Sequence, residues 1–205
     1  MPVIIDYGVG NLFSLTSSFK FIGQDVTVTS DKKKIAAADK LILPGVGAFS
    51  DAAKALKETG MYDVVREEAA KGKLLLGICL GMQMLLTKSY EYGEHDGLDL
   101  IPGNVKPIAP IIGSELKVPH IGWNALIFPE DKPKSKLYKY VEPGEHVYFV
   151  HSYYGADCTE YVSAYSEYGA MLTASVEHEN VYGTQFHPEK SGKTGLNILK
   201  AFCEI

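Results

Sequence analysis

The clearest structural signal lies in residues 74–86, which read Leu74-Leu75-Leu76-Gly77-Ile78-Cys79-Leu80-Gly81-Met82-Gln83-Met84-Leu85-Leu86. The short, continuously apolar run Leu74–Ile78 is typical of a strand buried on both faces of a parallel sheet. Residues 82–86 favour a helix, and two glycines flank Cys79 between the strand and the helix. This G-x-C-x-G pattern predicts a tight strand-to-helix turn on which the cysteine stands clear of the sheet.

Upstream, short apolar runs alternate with amphipathic segments. The expected strands cover residues 3–5, 26–29 and 41–43, and the expected helices cover residues 12–22, 32–38 and 51–56. This alternation predicts an α/β fold with an open, mostly parallel sheet, helices on both faces and right-handed crossovers.

Downstream, Pro and Gly residues punctuate aromatic and β-branched segments. These predict strands at residues 118–128, 146–154, 161–166, 171–176 and 181–186, followed by a helix at 194–202. The sheet is therefore expected to be mixed in its second half. Because no linker or repeat divides the chain, residues 1–205 are predicted to form a single domain.

Composition excludes several classes of function. The 205 residues are 46% hydrophobic and 22% charged, with a formal net charge of −5, so nucleic acid is not an expected partner. The amino terminus lacks the features of a signal peptide, and residues 74–86 are too short and Gly-broken to span a membrane. We therefore expect a cytoplasmic protein. The three cysteines lack CxxC spacing, and the P-C-x-x-C element of zinc deaminases is missing, so neither a metal nor a cofactor is expected.

Cys79 is the candidate nucleophile. A helix amino terminus stabilises a thiolate, and the backbone N–H of Leu80 points to where an oxyanion would form. The alternative interpretation is a small buried side chain among glycines that allow close packing. For Cys158, in a polar turn, and Cys203, on an apolar helix face, a structural role is the expected one.

A cysteine nucleophile needs a base, and Gln185-Phe186-His187-Pro188-Glu189 offers one. Pro188 favours an extended His187, so that Glu189 projects to the same side and can orient the imidazole. A purely local histidine–carboxylate pair is the alternative. Among the other histidines, His151 is a candidate for the pocket wall, whereas His120, His146 and His178 are expected at the surface or in turns.

Several segments together resemble the class I glutamine amidotransferases, and in detail the glutaminase subunits of imidazole glycerol phosphate synthases. They are D-Y-G-V-G-N-L at 6–12, L-P-G-V-G-A-F at 43–49, G-I-C-L-G-M-Q at 77–83, P-H-I-G-W-N at 119–124, F-V-H-S-Y at 149–153 and Q-F-H-P-E-K-S at 185–191. The resemblance runs nearly from end to end and implies a flavodoxin-like sheet.

The resemblance assigns roles residue by residue. It implies a catalytic triad of Cys79, His187 and Glu189, and an oxyanion hole from Val46, Gly47 and Leu80. The implied glutamine contacts are Gly47, Gln83, Glu91, Ser152 and Tyr153. The implied interface residues are Asn11, Trp123 and Lys190.

The same resemblance implies glutamine hydrolysis, with the ammonia channelled to a (β/α)₈-barrel cyclase subunit of a heterodimer in histidine biosynthesis. Two other functions stay open at this point. One is another branch of the amidotransferases, such as the subunit that serves pyridoxal phosphate synthesis. The other is a non-enzymatic regulatory or scaffolding module in which the turn at Cys79 survives for packing alone.

Overall fold

The computed structural model describes residues 1–205. The strands are β1 (Pro2–Ile5), β2 (Thr27–Thr29), β3 (Lys40–Leu43), β4 (Leu74–Ile78), β5 (Leu86–Ser89), β6 (His95–Asp96), β7 (Ile101–Pro107), β8 (His120–Ala125), β9 (His146–His151), β10 (Tyr153–Ala156), β11 (Val162–Glu167), β12 (Met171–His178) and β13 (Val181–Thr184). The α-helices are α1 (Leu12–Phe21), α2 (Lys32–Ala37), α3 (Phe49–Glu58), α4 (Met61–Ala70), α5 (Leu80–Leu85) and α6 (Gly192–Glu204). None of these helices has both the length and the apolar composition needed to span a bilayer.

A seven-stranded sheet forms the centre, in the order β11-β12-β13-β4-β3-β1-β2. The strands from β2 to β13 are parallel, and β12 runs antiparallel to both of its neighbours. The predicted α/β fold with an open, mixed and mostly parallel sheet is confirmed. Strand β4 lies between β3 and β13, so the turn that follows it opens at the middle of the sheet's carboxyl edge.

The strands of the central sheet bury side chains on both faces. In β1, Val3 and Ile5 belong to one apolar cluster, which also contains Phe49 and Leu56 of α3. Ile4 belongs to the other cluster, to which α1 and α6 contribute. This alternation follows from the two-residue repeat of a strand and explains why the parallel strands are continuously apolar.

The second half of the chain is divided among three sheets. Strands β8 and β9 form an antiparallel ribbon, and β10 joins a separate four-stranded sheet with the order β10-β7-β5-β6. Residues 146–154, predicted as one strand, are therefore two strands that meet at Ser152. Helix α4 and strands β5, β6 and β7 were not predicted. At Ser152 the backbone therefore passes from one sheet to another, next to the turn at Cys79.

Candidate active site

Cys79 occupies the predicted turn between β4 and α5. Its backbone adopts φ 56° and ψ −112°, a strained conformation for a residue with a side chain. Two hydrogen bonds hold it there: the Cys79 N–H donates to the Thr184 carbonyl at 2.7 Å, and the Cys79 carbonyl accepts from the Gln83 N–H at 3.2 Å. Strain of this kind persists only where the surrounding structure enforces it, as at a nucleophile turn.

The glycines around Cys79 are required by close backbone contacts. A Cβ on Gly81 would lie 1.9 Å from the Leu43 carbonyl oxygen, and a Cβ on Gly77 would lie 2.6 Å from the Gly81 carbonyl oxygen. A Cβ on Gly45 would lie 2.8 Å from the Gly81 nitrogen. The start of α5 therefore rests directly against the end of β3, which brings the loop after β3 alongside Cys79.

His187 and Glu189 form a buried pair beside β13. His187 Nδ1 lies 2.8 Å from Glu189 Oε1, and the two side chains are 3% and 1% exposed. The predicted pairing is present, but its geometry differs from the expected extended chain, because Pro188–Lys190 form a 3-10 turn that brings the carboxylate under the ring. The contact at Nδ1 leaves Nε2 free to face the pocket that His187 and Cys79 both line.

The electrostatic surroundings favour a charged His187. Burial alone would lower the pKa of this imidazole, but the contacts with the Cys79 sulfur and the Glu189 carboxylate outweigh burial and raise it to about 9. The imidazolium that forms when a base takes the thiol proton is therefore stabilised at this position. The second oxygen of Glu189, Oε2, is buried without a hydrogen-bond partner.

One cavity collects the residues expected to act on glutamine. Its lining residues are Val46, Gly47, Cys79, Leu80, Gln83, Glu91, Pro119, Val150, His151, Ser152, Tyr153 and His187. They come from the loop after β3, the turn at Cys79 with α5, the turn after β5, the residue before β8, the junction of β9 with β10 and the segment after β13. A nucleophile, a paired imidazole and backbone amides thus converge on one opening, which is the geometry that acyl transfer requires.

Glu91 reaches the cavity from a turn after β5. Its Oε2 accepts a hydrogen bond from the Phe49 N–H, the first residue of α3, at 2.6 Å. This contact ties the far wall of the cavity to the loop that carries Val46 and Gly47. The Phe49 N–H therefore fixes the orientation of the Glu91 carboxylate.

Gln83 and Gln185 connect the cavity wall to the sulfur. Gln83 Nε2 donates to the Tyr153 carbonyl and to Gln185 Oε1, each at 3.0 Å. Gln185 Nε2 donates in turn to Cys79 Sγ at 3.8 Å. Gln185 was missed as a site residue, although its place two residues before His187 on the same strand end gave a usable signal.

The predicted interface residues lie outside the cavity. Asn11 caps α1 by accepting from the Ser14 N–H at 3.3 Å. Trp123 is 52% exposed and packs edge-on against Tyr148, and Lys190 Nζ lies 5.8 Å from the centre of the same ring. Trp123 and Lys190 therefore flank one tyrosine at the surface.

His120 is not a surface residue, and that expectation was wrong. It is 1% exposed, because its ring stacks on Tyr168 at 4.0 Å and on Phe149 at 5.0 Å between centroids. Its Nδ1 lies 3.0 Å from His151 Nε2. The apolar residues Ile121 and Trp123 of β8 are the exposed ones, so the alternation of the sequence gives no local signal for the burial of His120.

The two other cysteines are in different surroundings. Cys158 is buried in a turn, and burial raises the pKa of its thiol to about 11. Burial also raises the pKa of the Cys203 thiol on α6. Neither thiol lines the cavity, so both are poor candidates for a nucleophile.

Comparison with known proteins identifies the family. The model of the class I glutamine amidotransferase family matches residues 3–205. Imidazole glycerol phosphate synthase subunit HisH of Carboxydothermus hydrogenoformans is 48% identical, with 100% of both chains covered. The protein of the same name from Methanothermobacter thermautotrophicus is 49% identical, over 100% of this chain and 98% of the relative.

The fold comparison agrees with the sequence comparison. A solved structure described as a glutamine amidotransferase superposes with a TM-score of 0.75 at 20% identity, covering 98% of this chain and 97% of that one. At this identity the similarity supports the fold alone, whereas the sequence relatives above define the branch. The chain therefore belongs to the class I glutamine amidotransferase family, and within it to the HisH subunits of imidazole glycerol phosphate synthase.

Proposed function

We propose that this chain hydrolyses glutamine with Cys79, His187 and Glu189 and supplies the ammonia to a synthase partner in histidine biosynthesis. The observation that carries the proposal is the meeting of Cys79 and the His187–Glu189 pair at one cavity. Cys79 and His187 are 108 positions apart by their numbers in the sequence. Packing alone would not require a strained cysteine to face a paired imidazole, which argues against the scaffolding alternative.

The reaction follows from the positions of the groups. His187 takes the thiol proton of Cys79, and the sulfur attacks the carboxamide carbon of glutamine. His187 then gives the proton to the departing nitrogen, so that ammonia leaves and a glutamyl thioester remains. Water, activated by the same imidazole, cleaves the thioester to glutamate and restores the thiol. Glu189 stabilises the imidazolium in both halves of the cycle.

The oxyanion of each tetrahedral intermediate needs backbone donors. Leu80 is the first residue of α5, where N–H groups have no partner within the helix. The second donor comes from the loop containing Val46 and Gly47. Gly47 has φ 91°, so its backbone tolerates rotation of the peptide between these two residues. The loop therefore suits a hole that is completed when the partner and its ligand bind.

Glutamine is held at the far end of the cavity. Gly47, Gln83, Glu91, Ser152 and Tyr153 supply backbone groups, an amide, a carboxylate and hydroxyls there. These complement the amino and carboxylate groups of the substrate. The carboxylate of Glu91, fixed by the Phe49 N–H, is the group suited to an ammonium.

The partner is a (β/α)₈-barrel cyclase subunit, with which the chain forms a cytoplasmic heterodimer. Ammonia released into water at neutral pH would be protonated, so the product must pass directly to the second active site. Trp123 and Lys190, which flank Tyr148, and Asn11 at the start of α1 belong to the docking surface. The names of the sequence relatives support this branch over the one that serves pyridoxal phosphate synthesis.

Covalent labelling tests the proposal. A glutamine-analogue electrophile should modify Cys79 alone when the chain is bound to the cyclase subunit and its ligand, because the Cys158 and Cys203 thiols lie outside the cavity. Mass spectrometry of the digested protein reads the site directly. Protection by glutamine is the control, and indiscriminate labelling of the three cysteines would contradict a glutamine site at Cys79.

A further inference from the structure

Two buried histidines, one in the cavity wall and one directly behind it, have no part in the proposed reaction. His151 ends β9 and lines the cavity, and His120 begins β8 on the neighbouring strand. The two residues are paired across the ribbon and are 6% and 1% exposed. Buried imidazoles carry a desolvation cost, so their polar atoms need partners.

His151 contacts the Ser152–Tyr153 backbone, which forms part of the cavity lining. Its Nδ1 lies 2.8 Å from the Tyr153 carbonyl oxygen, which also accepts from Gln83 Nε2 at 3.0 Å. This carbonyl sits just after Ser152, where the chain leaves the ribbon of β8 and β9 for the four-stranded sheet. Two side chains therefore hold the Tyr153 carbonyl at the first residue of β10, which pairs with Pro107 of β7.

We propose that His151, supported by His120, is a positioning residue that holds the Ser152–Tyr153 backbone in the shape that binds glutamine. This inference rests on the proposed function, since it assigns a role within the same cavity. His151 acts through the Tyr153 carbonyl and does not touch the reacting atoms. It therefore affects how well the substrate is bound more than how fast the thioester forms and breaks.

The contact with Tyr153 requires one tautomer of His151. A carbonyl oxygen only accepts, so His151 Nδ1 must carry the hydrogen. In a neutral ring Nε2 is then an acceptor, and His120 Nδ1 at 3.0 Å must be its donor. Burial lowers the pKa of His151 to about 4, which keeps this ring neutral at neutral pH and spares His187 a neighbouring positive charge. His120 thus fixes the tautomer of His151 that the contact with the Tyr153 carbonyl requires.

The contact between His120 and Asn124 is the weakest in this chain of contacts. Asn124 Nδ2 donates to the Glu167 carbonyl at 3.0 Å, which turns Asn124 Oδ1 toward His120 Nε2 at 2.8 Å. The contacts of the two rings need three hydrogens, whereas two neutral imidazoles carry two. The tautomers that serve Tyr153 leave His120 Nε2 without one. His120 is therefore the last residue that supports the Ser152–Tyr153 backbone, and Asn124 adds little.

The test uses the complete synthase, with the cyclase subunit and its ligand present, and measures KM for glutamine and kcat separately. His151→Phe keeps the ring and removes the donor, so KM should rise roughly tenfold, the effect of one lost hydrogen bond, while kcat stays within about twofold. His151→Asn places an amide N–H near the position of Nδ1 and should keep KM close to that of the native protein. His120→Phe should raise KM by a smaller factor, and Asn124→Ala should leave it unchanged.

His178→Phe is the matched control, because His178 Nδ1 also faces a backbone carbonyl, that of Leu100 at 3.3 Å, but lies outside the cavity. It should change neither constant. An unchanged KM in His151→Phe, or equal losses in the Phe and Asn variants, would overturn the positioning role while native glutaminase activity still supported the proposed function.

A spectroscopic readout does not depend on activity at all. Nitrogen-15 NMR of the histidine rings at neutral pH should show His151 protonated at Nδ1 and unprotonated at Nε2. The opposite tautomer would exclude the contact with Tyr153 whether or not the chain hydrolyses glutamine. His151→Phe provides the assignment of the signals.

Discussion

Replacing Glu189 by Gln removes the charge beside His187 and keeps the size of the side chain. The pKa of His187 is about 9 against an ordinary 6.5, because contacts with Cys79 and Glu189 outweigh the effect of burial. Because each pKa unit corresponds to roughly 1.4 kcal/mol, the surroundings of His187 favour the imidazolium over the neutral ring by about 3 kcal/mol. We expect the variant to lose the share of this stabilisation that Glu189 supplies and to keep the larger share that Cys79 supplies.

Three measurements detect the loss of the Glu189 charge beside His187. Nuclear magnetic resonance titration of the His187 ring should show its pKa falling back toward 6.5. The kcat for glutamine hydrolysis by the complete synthase should fall by about 10²- to 10⁴-fold, the usual contribution of a positioned base. Stability should respond to pH in a defined direction. A histidine whose pKa is raised on folding stabilises the folded state fully below pH 6.5, and this contribution is lost as the pH rises through about 9.

Urea unfolding therefore gives a third result: between pH 6 and pH 9.5, the native protein should lose more stability than Glu189→Gln does. His187→Gln supplies the assignment of the titrating ring and should abolish the difference. If Glu189→Gln kept both the native pKa of His187 and the native kcat, the carboxylate would not be orienting the base and the reasoning would be refuted.

Two further substitutions test the turn and the docking surface. Gly81→Ala would set a Cβ 1.9 Å from the Leu43 carbonyl oxygen, so urea unfolding should show that the free energy of unfolding falls by about 3 kcal/mol. Gly144→Ala is the control, because a Cβ there would have nothing within 4 Å, and it should lower the free energy of unfolding by about 1 kcal/mol. Equal losses in the two variants would contradict the close contact at Gly81. Trp123→Ala should weaken binding to the cyclase subunit at least tenfold in calorimetry, without lowering Tm, because the side chain is 52% exposed; unchanged affinity would remove Trp123 from the interface.

The parallel half of the fold was predictable because its signals are local. Continuous apolar runs such as Leu74–Ile78 indicate strands buried on both faces, and amphipathic segments such as that of α3 alternate with them. Helix α4 was missed although Met61, Val65 and Ala69 repeat with helical spacing, because it begins after a left-handed Gly60 with no capping side chain. A helix without a start signal merges with the one before it.

Strands β5 and β7 were missed for different reasons. Strand β5 begins at Leu86, directly after α5 ends at Leu85, so no turn residue marks the change. Strand β7 contains Pro102, Gly103 and Asn104, which are depleted in strands, and only the burial of alternate residues around Gly103 reveals it. In both places tertiary pairing overrides the local preference.

The site was predictable where residue type and spacing carry the chemistry, as in the turn at Cys79 and the pair His187–Glu189. The roles of His120, His151 and Gln185 depend on contacts between segments far apart in the sequence. A histidine on a strand looks the same whether it faces solvent or a second imidazole. Only the pairing of β8 with β9 distinguishes these cases.

The most direct measurement of the central claim is the activity of Cys79→Ala in the reconstituted synthase with two nitrogen sources. With glutamine, synthesis of imidazole glycerol phosphate should be abolished, because no other thiol lines the cavity. With added ammonium salts it should proceed at the native rate, since the substitution removes one small side chain and leaves the docking surface intact. Native synthesis from glutamine in this variant, or loss of synthesis from both sources, would contradict the assignment of Cys79 as the nucleophile.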